Sequence, residues 1–201
     1  MKKMNNKKWG KIQVRKVDLS KIDDRTLLLN LYITQCLTLA VAVVLFFVQG
    51  RNPIAAFQLP ANAAPWMWGA GFAALVLAAD VLLSRWMPEE AADDGGINDK
   101  LFRLRPVWHL ALICLMVSVS EELLFRGAVQ YWLGPYWTSI LFALVHVRYL
   151  RHWLPTGLVF SISYGLGWIF DQTGTLWTPI AAHFIIDVVM GLIIRFRRDA
   201  A

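Results

Sequence analysis

The stretch SVSEELLFRGAV, residues 118–129, places two adjacent glutamates and an arginine inside a hydrophobic run. A charged side chain at the centre of a membrane-spanning helix costs about 2.5–3.5 kcal/mol, so such residues are normally paired or functional. Glu122 and Arg126 are four residues apart, in the order that favours an ion pair on one helical face. Glu121 lies about 100° around the helix from Glu122. The sequence therefore predicts an ion pair between Glu122 and Arg126 that locks helices together, with Glu121 facing the interior of the bundle.

Two further apolar stretches carry ionisable residues at a similar depth. His146 ends the stretch FALVH, four residues after Phe142. His183 and Asp187 begin and end the stretch HFIID, and their spacing places them on one helical face. Counted from the middle of each predicted span, these ionisable residues and Glu121 lie within about 5 Å of the membrane midplane. Two imidazoles and a carboxylate at one level can activate water, either directly or around a metal ion.

The elements that must position these residues are apolar helices. The chain is 57% hydrophobic and 17% charged, and its apolar residues form runs long enough to cross a bilayer. The predicted spans are residues 27–48, 66–87, 107–133, 136–150, 153–170 and 177–194. The fourth is short for a full crossing. In the fifth, Gly157, Gly165 and Gly167 are predicted to permit close helix contacts. The predicted fold is all-α: a polytopic integral membrane protein with about six transmembrane helices in one bundle.

Basic residues predict the orientation of these spans. Residues 1–25 contain nine Lys and Arg against three Asp, a balance that equals the net charge of +6 of the whole chain. The connections between spans then alternate between basic and nearly uncharged, as expected for six spans with both termini in the cytoplasm. A basic arm attached to a span usually contacts anionic lipid, so the lipid bilayer is an expected partner and nucleic acid is not. We expect a basic cytoplasmic tail over residues 1–26 and a transmembrane domain over residues 27–198.

Three motifs together resemble a known family of membrane proteases. EELLFR, FALVH and HFIID resemble, in order and spacing, the motifs EExxxR, FxxxH and HxxxN/D of the CAAX prenyl protease and bacteriocin-processing family, also called the Abi or type II CAAX endopeptidase family. The resemblance covers about residues 105–195. It implies an α-helical intramembrane endopeptidase that acts on a membrane-associated peptide or protein.

The resemblance also implies a role for each motif residue. Glu121 would be the general base that activates water together with His146. His183 and Asp187 would orient and stabilise the oxyanion. The residues that would support the site are Glu122, Arg126 and Phe142.

Asp187 departs from the eukaryotic prenyl proteases, which have Asn at this place. An ionised carboxylate cannot donate a hydrogen bond to an oxyanion. Asp187 is therefore protonated, or it orients His183, or it ligates a metal. We favour catalysis without a cofactor. The alternative is a divalent metal such as zinc, held by Glu121, His146, His183 and Asp187.

Other functions compatible with the sequence are a non-catalytic protein and a transporter. A protein of the same fold could serve as a bacteriocin-immunity factor, or as a regulator that binds a peptide or a partner's helix. Its phenotype would survive the substitution Glu121→Gln. Against a proton-relaying transporter, the chain shows no inverted repeat and no paired broken helices. The sequence does not name the substrate. A short chain with a basic tail is typical of a prokaryotic cell membrane protein, which argues against prenylated CAAX substrates.

Overall fold

The computed structural model describes residues 23–85, 96–103, 105–147, 149–150 and 153–197, which form a helical bundle without strands. The predicted basic tail lies almost entirely outside these residues. The helices in chain order are α1 (Asp24–Val48), α2 (Ala64–Ser84), α3 (Ile97–Phe102), α4 (Val107–Glu122), α5 (Gln130–Val145), α6 (Trp153–Thr173) and α7 (Trp177–Phe196). A π-helical segment, Leu123–Val129, joins α4 to α5, and a short 3-10 helix, Ile54–Phe57, follows α1.

Five helical stretches in the described part of the chain are long and apolar enough to cross a membrane. This finding confirms the prediction of an integral membrane protein. The predicted number of six spans is approximate. The difference lies in Val107–Val145, a continuous stretch that contains the third predicted span and residues 136–145 of the fourth. Gly134 interrupts it with a φ of 69°, a conformation that glycine adopts without a side-chain clash. Phe125 precedes Gly134 in the chain and Phe142 follows it, and the centres of their rings are 4.8 Å apart. The chain therefore folds back on itself here.

The returning part of α5 is short. Residues 135–145 extend about 16 Å at roughly 1.5 Å per residue, about half of a 30 Å apolar layer. The helix ends at Val145, and His146 has a non-helical φ of −82° and ψ of 52°. The predicted fourth span, 136–150, is therefore too long at its C-terminal end. Non-helical backbone at membrane depth is tolerated only where protein or a water-filled cavity covers its polar groups.

Helix α7 lies at the centre of the bundle and packs against α2, α3, α4 and α6. On the flanks, α1 packs against α4 and the π-helical segment, and α5 packs against α6. A Cβ atom at Gly69 on α2 would lie 2.7 Å from the backbone oxygen of Thr178 on α7. Small residues let helix backbones approach closely where apolar burial alone cannot drive their association. The position of α7 is thus set by close backbone contact as well as by side-chain packing.

The predicted role of glycines in α6 is confirmed at two positions and wrong at the third. A Cβ atom at Gly165 would overlap the ring of Phe72, and one at Gly167 would lie 2.7 Å from the side-chain oxygen of Gln130. A Cβ atom at Gly157 would meet nothing within 4 Å, and this glycine is exposed.

We expect Gly165→Ala to destabilise the protein by roughly 1–3 kcal/mol, because the added methyl group must displace Phe72. Gly157→Ala is the matched control on the same helix. It is expected to be neutral or stabilising by up to about 1 kcal/mol, since alanine is the better helix former. Thermal unfolding of both variants in one detergent measures the difference. Equal midpoints would contradict the close contact between α2 and α6.

Candidate active site

The four candidate catalytic residues line one cavity of about 520 Å³. Glu121 comes from α4, His146 from the C-terminal end of α5, and His183 and Asp187 from α7. Phe142 forms part of the same wall. The structure thus brings together side chains that are up to 66 residues apart in the chain and that the sequence placed at one depth. Their catalytic roles stay predictions.

The predicted ion pair between Glu122 and Arg126 is present and buried. The two residues are 0% and 1% exposed. Nε of Arg126 lies 3.1 Å from Oε2 of Glu122, and Nη1 donates to Oε1 at 3.2 Å. Nη2 donates to the backbone oxygen and the hydroxyl of Ser163 on α6, at 2.9 and 3.0 Å. The guanidinium carbon lies 5.0 Å from the ring centre of Phe142. Arg126 therefore ties the π-helical segment to α4, α5 and α6.

The π-helical segment that carries Arg126 is itself held by side chains from the end of α1. Arg51 donates to the backbone oxygen of Gly127 at 2.7 Å, and Gln49 donates to that of Ala128 at 2.8 Å. These bonds satisfy carbonyl groups that a regular helix would pair internally. Single π-helical turns are rare and occur frequently at functional sites. The irregular backbone beside the cavity is therefore supported from a neighbouring helix.

Glu122 also contacts His183, and the sequence analysis did not predict this contact. Oε1 of Glu122 lies 2.7 Å from Nδ1 of His183, and Oδ2 of Asp187 lies 3.4 Å from Nε2 of the same ring. The imidazole thus sits between carboxylates of α4 and α7, and such partners determine the orientation of a histidine ring. No spacing rule could have predicted the contact with Glu122, because the two residues are 61 positions apart.

His146 is oriented by its own helix. Its Nδ1 lies 2.7 Å from the backbone oxygen of Phe142, and the two rings stack with centres 4.5 Å apart. A carbonyl oxygen only accepts hydrogen bonds, so Nδ1 carries a proton in this contact. In the neutral ring Nε2 is then the basic nitrogen. The break of the helix at His146 places this imidazole at the wall of the cavity.

The adjacent glutamates occupy different environments. Glu122 is fully buried in protein, whereas Glu121 is only partly buried and lines the cavity. Their separation of about 100° around α4 accounts for this difference. Asp187, with 33% of its side chain exposed, and His183, with 12%, lie at the same cavity. The arrangement combines carboxylates and imidazoles at one cavity.

The candidate residues do not form a metal site in this arrangement. Among the residues that the structure describes, no group of three or more His, Cys, Asp and Glu side chains is placed to hold a metal ion. Both ring nitrogens of His183 face carboxylates, and Nδ1 of His146 faces a carbonyl group. A zinc site needs its nitrogen and oxygen donors at about 2.0–2.2 Å from one ion. Zinc held by Glu121, His146, His183 and Asp187 does not fit, and catalysis without a cofactor stays a prediction.

The cavity also contains residues that the sequence analysis did not single out. Asn30, Thr34 and Gln35 of α1 line it together with the motif residues. The available signal was the presence of polar residues at helical spacing within the first apolar run. Single polar residues in a membrane helix often bond only to neighbouring helices, so this signal by itself does not indicate a site.

The chain is similar in sequence to known proteins. The profile of the type II CAAX prenyl endopeptidase Rce1-like family matches residues 103–189, which contain all three motifs. The chain is 39% identical over 163 residues to the uncharacterized protein YpbD of Bacillus subtilis (strain 168), an alignment that covers 80% of this chain and 86% of YpbD. No solved structure gives a significant match. The resemblance inferred from the three motifs is confirmed, and this chain belongs to the Rce1-like family of type II CAAX prenyl endopeptidases.

Proposed function

We propose that this protein is an intramembrane endopeptidase that hydrolyses peptide bonds of a membrane-associated peptide or protein. The observation that carries the proposal is the position of Glu121, His146, His183 and Asp187 around one cavity inside the helical bundle. Membership of a family described as prenyl endopeptidases supports it. Carboxylates and histidines are costly inside a membrane, and they normally face one another or a water-filled cavity there.

In the proposed reaction, Glu121 takes a proton from a water molecule, assisted by the basic nitrogen of His146. The water oxygen bonds to the carbonyl carbon of the peptide, and the electron pair of the C=O bond moves to its oxygen. When the C–N bond breaks, the carbonyl re-forms and the proton held by Glu121 passes to the leaving nitrogen. His183, oriented by Glu122 and Asp187, stabilises the negative charge that develops on the oxygen.

The cavity reaches the end of the bundle at which α1 begins and α7 ends. Its wall includes Leu27 near the start of α1 and Ile194 near the end of α7, with α3 beside them. Ion pairs join α3 to both helices at this end, from Lys100 to Asp24 at 3.6 Å and from Arg197 to Asp99 at 3.2 Å. If both termini are cytoplasmic, as the distribution of basic residues indicates, the substrate enters from the cytoplasmic side.

The test of this function is a comparison of membrane peptides between cells that carry the wild type and cells that carry Glu121→Gln. Fragments that depend on Glu121 are expected only with the wild type, and their ends identify the bond that is cleaved. The two proteins must be present in the membrane in equal amounts. Identical fragments in both cells would contradict the proposal and favour a binding protein of the same fold.

Asp187→Asn is expected to keep at least a tenth of wild-type activity, a loss of about 1.4 kcal/mol or less. Asparagine keeps an oxygen that can face His183 and adds an N–H donor. Asp187→Leu, which has neither group, is the matched control and should be less active. Prolonged incubation with a zinc chelator is expected to leave wild-type activity largely intact. Stoichiometric zinc in the purified protein together with an inactive Asp187→Asn would instead indicate a metalloprotease.

A further inference from the structure

Helix α1 forms a wall of the candidate active site, although it lies outside the residues that match the family profile. Five of its side chains line the cavity: Leu27, Asn30, Leu31, Thr34 and Gln35. Separations of three and four residues place them on one face of the helix. Three of the five, Asn30, Thr34 and Gln35, are polar. This face therefore presents hydrogen-bonding groups to whatever occupies the cavity.

Gln35 is the buried member of this polar face. It is 7% exposed, and its side-chain oxygen accepts a hydrogen bond from the hydroxyl of Ser120 at 2.5 Å. Ser120 immediately precedes Glu121, so the amide of Gln35 is held beside the candidate general base. The amide oxygen is bonded to Ser120, and Gln35 is among the residues that line the cavity, so its Nε2 group remains as a hydrogen-bond donor on a lining side chain. Among the described residues, no hydrogen-bond acceptor is paired with this nitrogen.

Hydrolysis of a peptide bond needs a donor at the carbonyl oxygen, because negative charge develops there in the transition state. Several cavity groups cannot perform this task alone. An ionised Asp187 only accepts hydrogen bonds. The ring nitrogens of His183 face carboxylates, and the hydroxyl of Thr34 donates to the backbone oxygen of Asn30 at 2.7 Å. Gln35 supplies an N–H donor that these internal contacts do not use.

We propose that Gln35 donates a hydrogen bond from Nε2 to the carbonyl oxygen of the peptide bond that is cleaved. The inference rests on the proposed endopeptidase function. When the water activated by Glu121 bonds to the carbonyl carbon, the charge on the oxygen is stabilised by Gln35 as well as by His183. Gln35 is neither protonated nor deprotonated, and the proton taken from water still passes from Glu121 to the leaving nitrogen. Ser120 is a positioning residue, because it acts only through the amide of Gln35.

The experiment compares cleavage by the purified full-length chain and its variants in vesicles of phosphatidylethanolamine and phosphatidylglycerol. The probe is a pooled library of apolar nonapeptides that carry a fluorophore and a quencher. Gln35→Met keeps the length of the side chain and removes the donor, whereas Gln35→Glu keeps its size and presents only acceptors. Thr38→Val is the matched control on the same helix, because Thr38 is not among the residues that line the cavity and its hydroxyl donates to the backbone oxygen of Thr34.

Both Gln35 variants are expected to lower kcat by about 10²–10³ with little change in KM, the loss typical of one missing oxyanion donor. Thr38→Val should have a kcat close to that of the wild type. Ser120→Ala should lower kcat by less than the Gln35 variants, with KM unchanged. A purely structural role for Gln35 would instead lower the unfolding midpoint and leave the kcat of the folded fraction unchanged.

The outcomes separate this inference from the proposed function. If the wild type cleaves no peptide, or cleaves no better than Glu121→Gln, the proposed function fails and the inference fails with it. If cleavage depends on Glu121 but the Gln35 variants keep wild-type kcat, only the inference is overturned. An increase in KM at constant kcat also overturns it. Should Gln35→Met not fold, Gln35→Glu decides by the same criteria, and Gln35→Leu, which also lacks the donor, replaces it if neither folds.

Discussion

Glu121→Gln is expected to lower the rate of peptide hydrolysis by about 10²–10⁴ while the protein remains folded and inserted in the membrane. A general base must accept a proton from water, and an amide of the same size cannot do so. Glu121 is placed for this role at the wall of the cavity. The buried ion pair and the hydrogen bond to His183 belong to its neighbour, Glu122. The substitution should therefore remove the proton acceptor without removing these links between helices.

The rate is measured with purified protein, and thermal unfolding in the same detergent shows whether the fold is retained. Thr38→Val serves as the control, because it changes a side chain of α1 that is not among those lining the cavity and that is no proposed catalytic group. Full activity of purified Glu121→Gln would exclude Glu121 as the base. A loss of activity in proportion to a loss of folded protein would show that Glu121 has a structural role instead.

Glu122→Ala is expected to lower the free energy of unfolding by about 3–5 kcal/mol, and by more than Glu121→Ala does. Glu122 is fully buried, and its carboxylate contacts Arg126 through both oxygens and His183 through one. Its removal leaves the guanidinium of Arg126 without its carboxylate inside the bundle, although the contacts with Ser163 remain. The penalty of an uncompensated buried charge accounts for most of the expected loss.

Thermal unfolding and the yield of folded protein in one detergent measure this effect, with Glu121→Ala as the matched neighbour. A further variant tests the cause. Arg126→Met added to Glu122→Ala should restore part of the stability, because it removes the unpaired charge. Equal unfolding midpoints for Glu122→Ala and Glu121→Ala would contradict the different roles that we infer for the two glutamates.

The two predictions concern adjacent residues and differ in what they measure. Glu121→Gln should change activity at nearly constant stability, whereas Glu122→Ala should change stability first. Glu122→Ala should also lower activity in the fraction that folds, because His183 loses the partner that orients its Nδ1. The difference follows from the orientation of two consecutive side chains on α4, one toward the cavity and one into the protein.

The sequence by itself determined the features that depend on residues close together in the chain. Apolar runs predicted membrane helices, and Gly134 followed by a proline predicted the point at which the third span ends. The spacing of Glu122 and Arg126 predicted their ion pair, which a single helical face suffices to form. The three motifs identified the family, and their depth in each run predicted that the candidate residues meet at one level.

The C-terminal end of α5 shows a limit of prediction from the local sequence. The apolar run after Phe142 continues through Val147, Tyr149 and Leu150, so the sequence predicted a helix as far as residue 150. The structure ends the helix at Val145, and His146 leaves the helical conformation at the wall of the cavity. Hydropathy reports whether a segment is apolar, and it does not report whether a cavity permits the helix to stop halfway across a membrane.

Only the tertiary structure decided which helices contact one another at the site. The bond between Glu122 and His183, that between Arg126 and Ser163, and that between Ser120 and Gln35 join residues 37 to 85 positions apart. In a soluble protein, the polar face of each helix would indicate which side points outward. In a membrane, the side chains that face lipid are as apolar as those that face the core. Periodicity therefore leaves the rotation of each helix undetermined, and the packing of the bundle determines it.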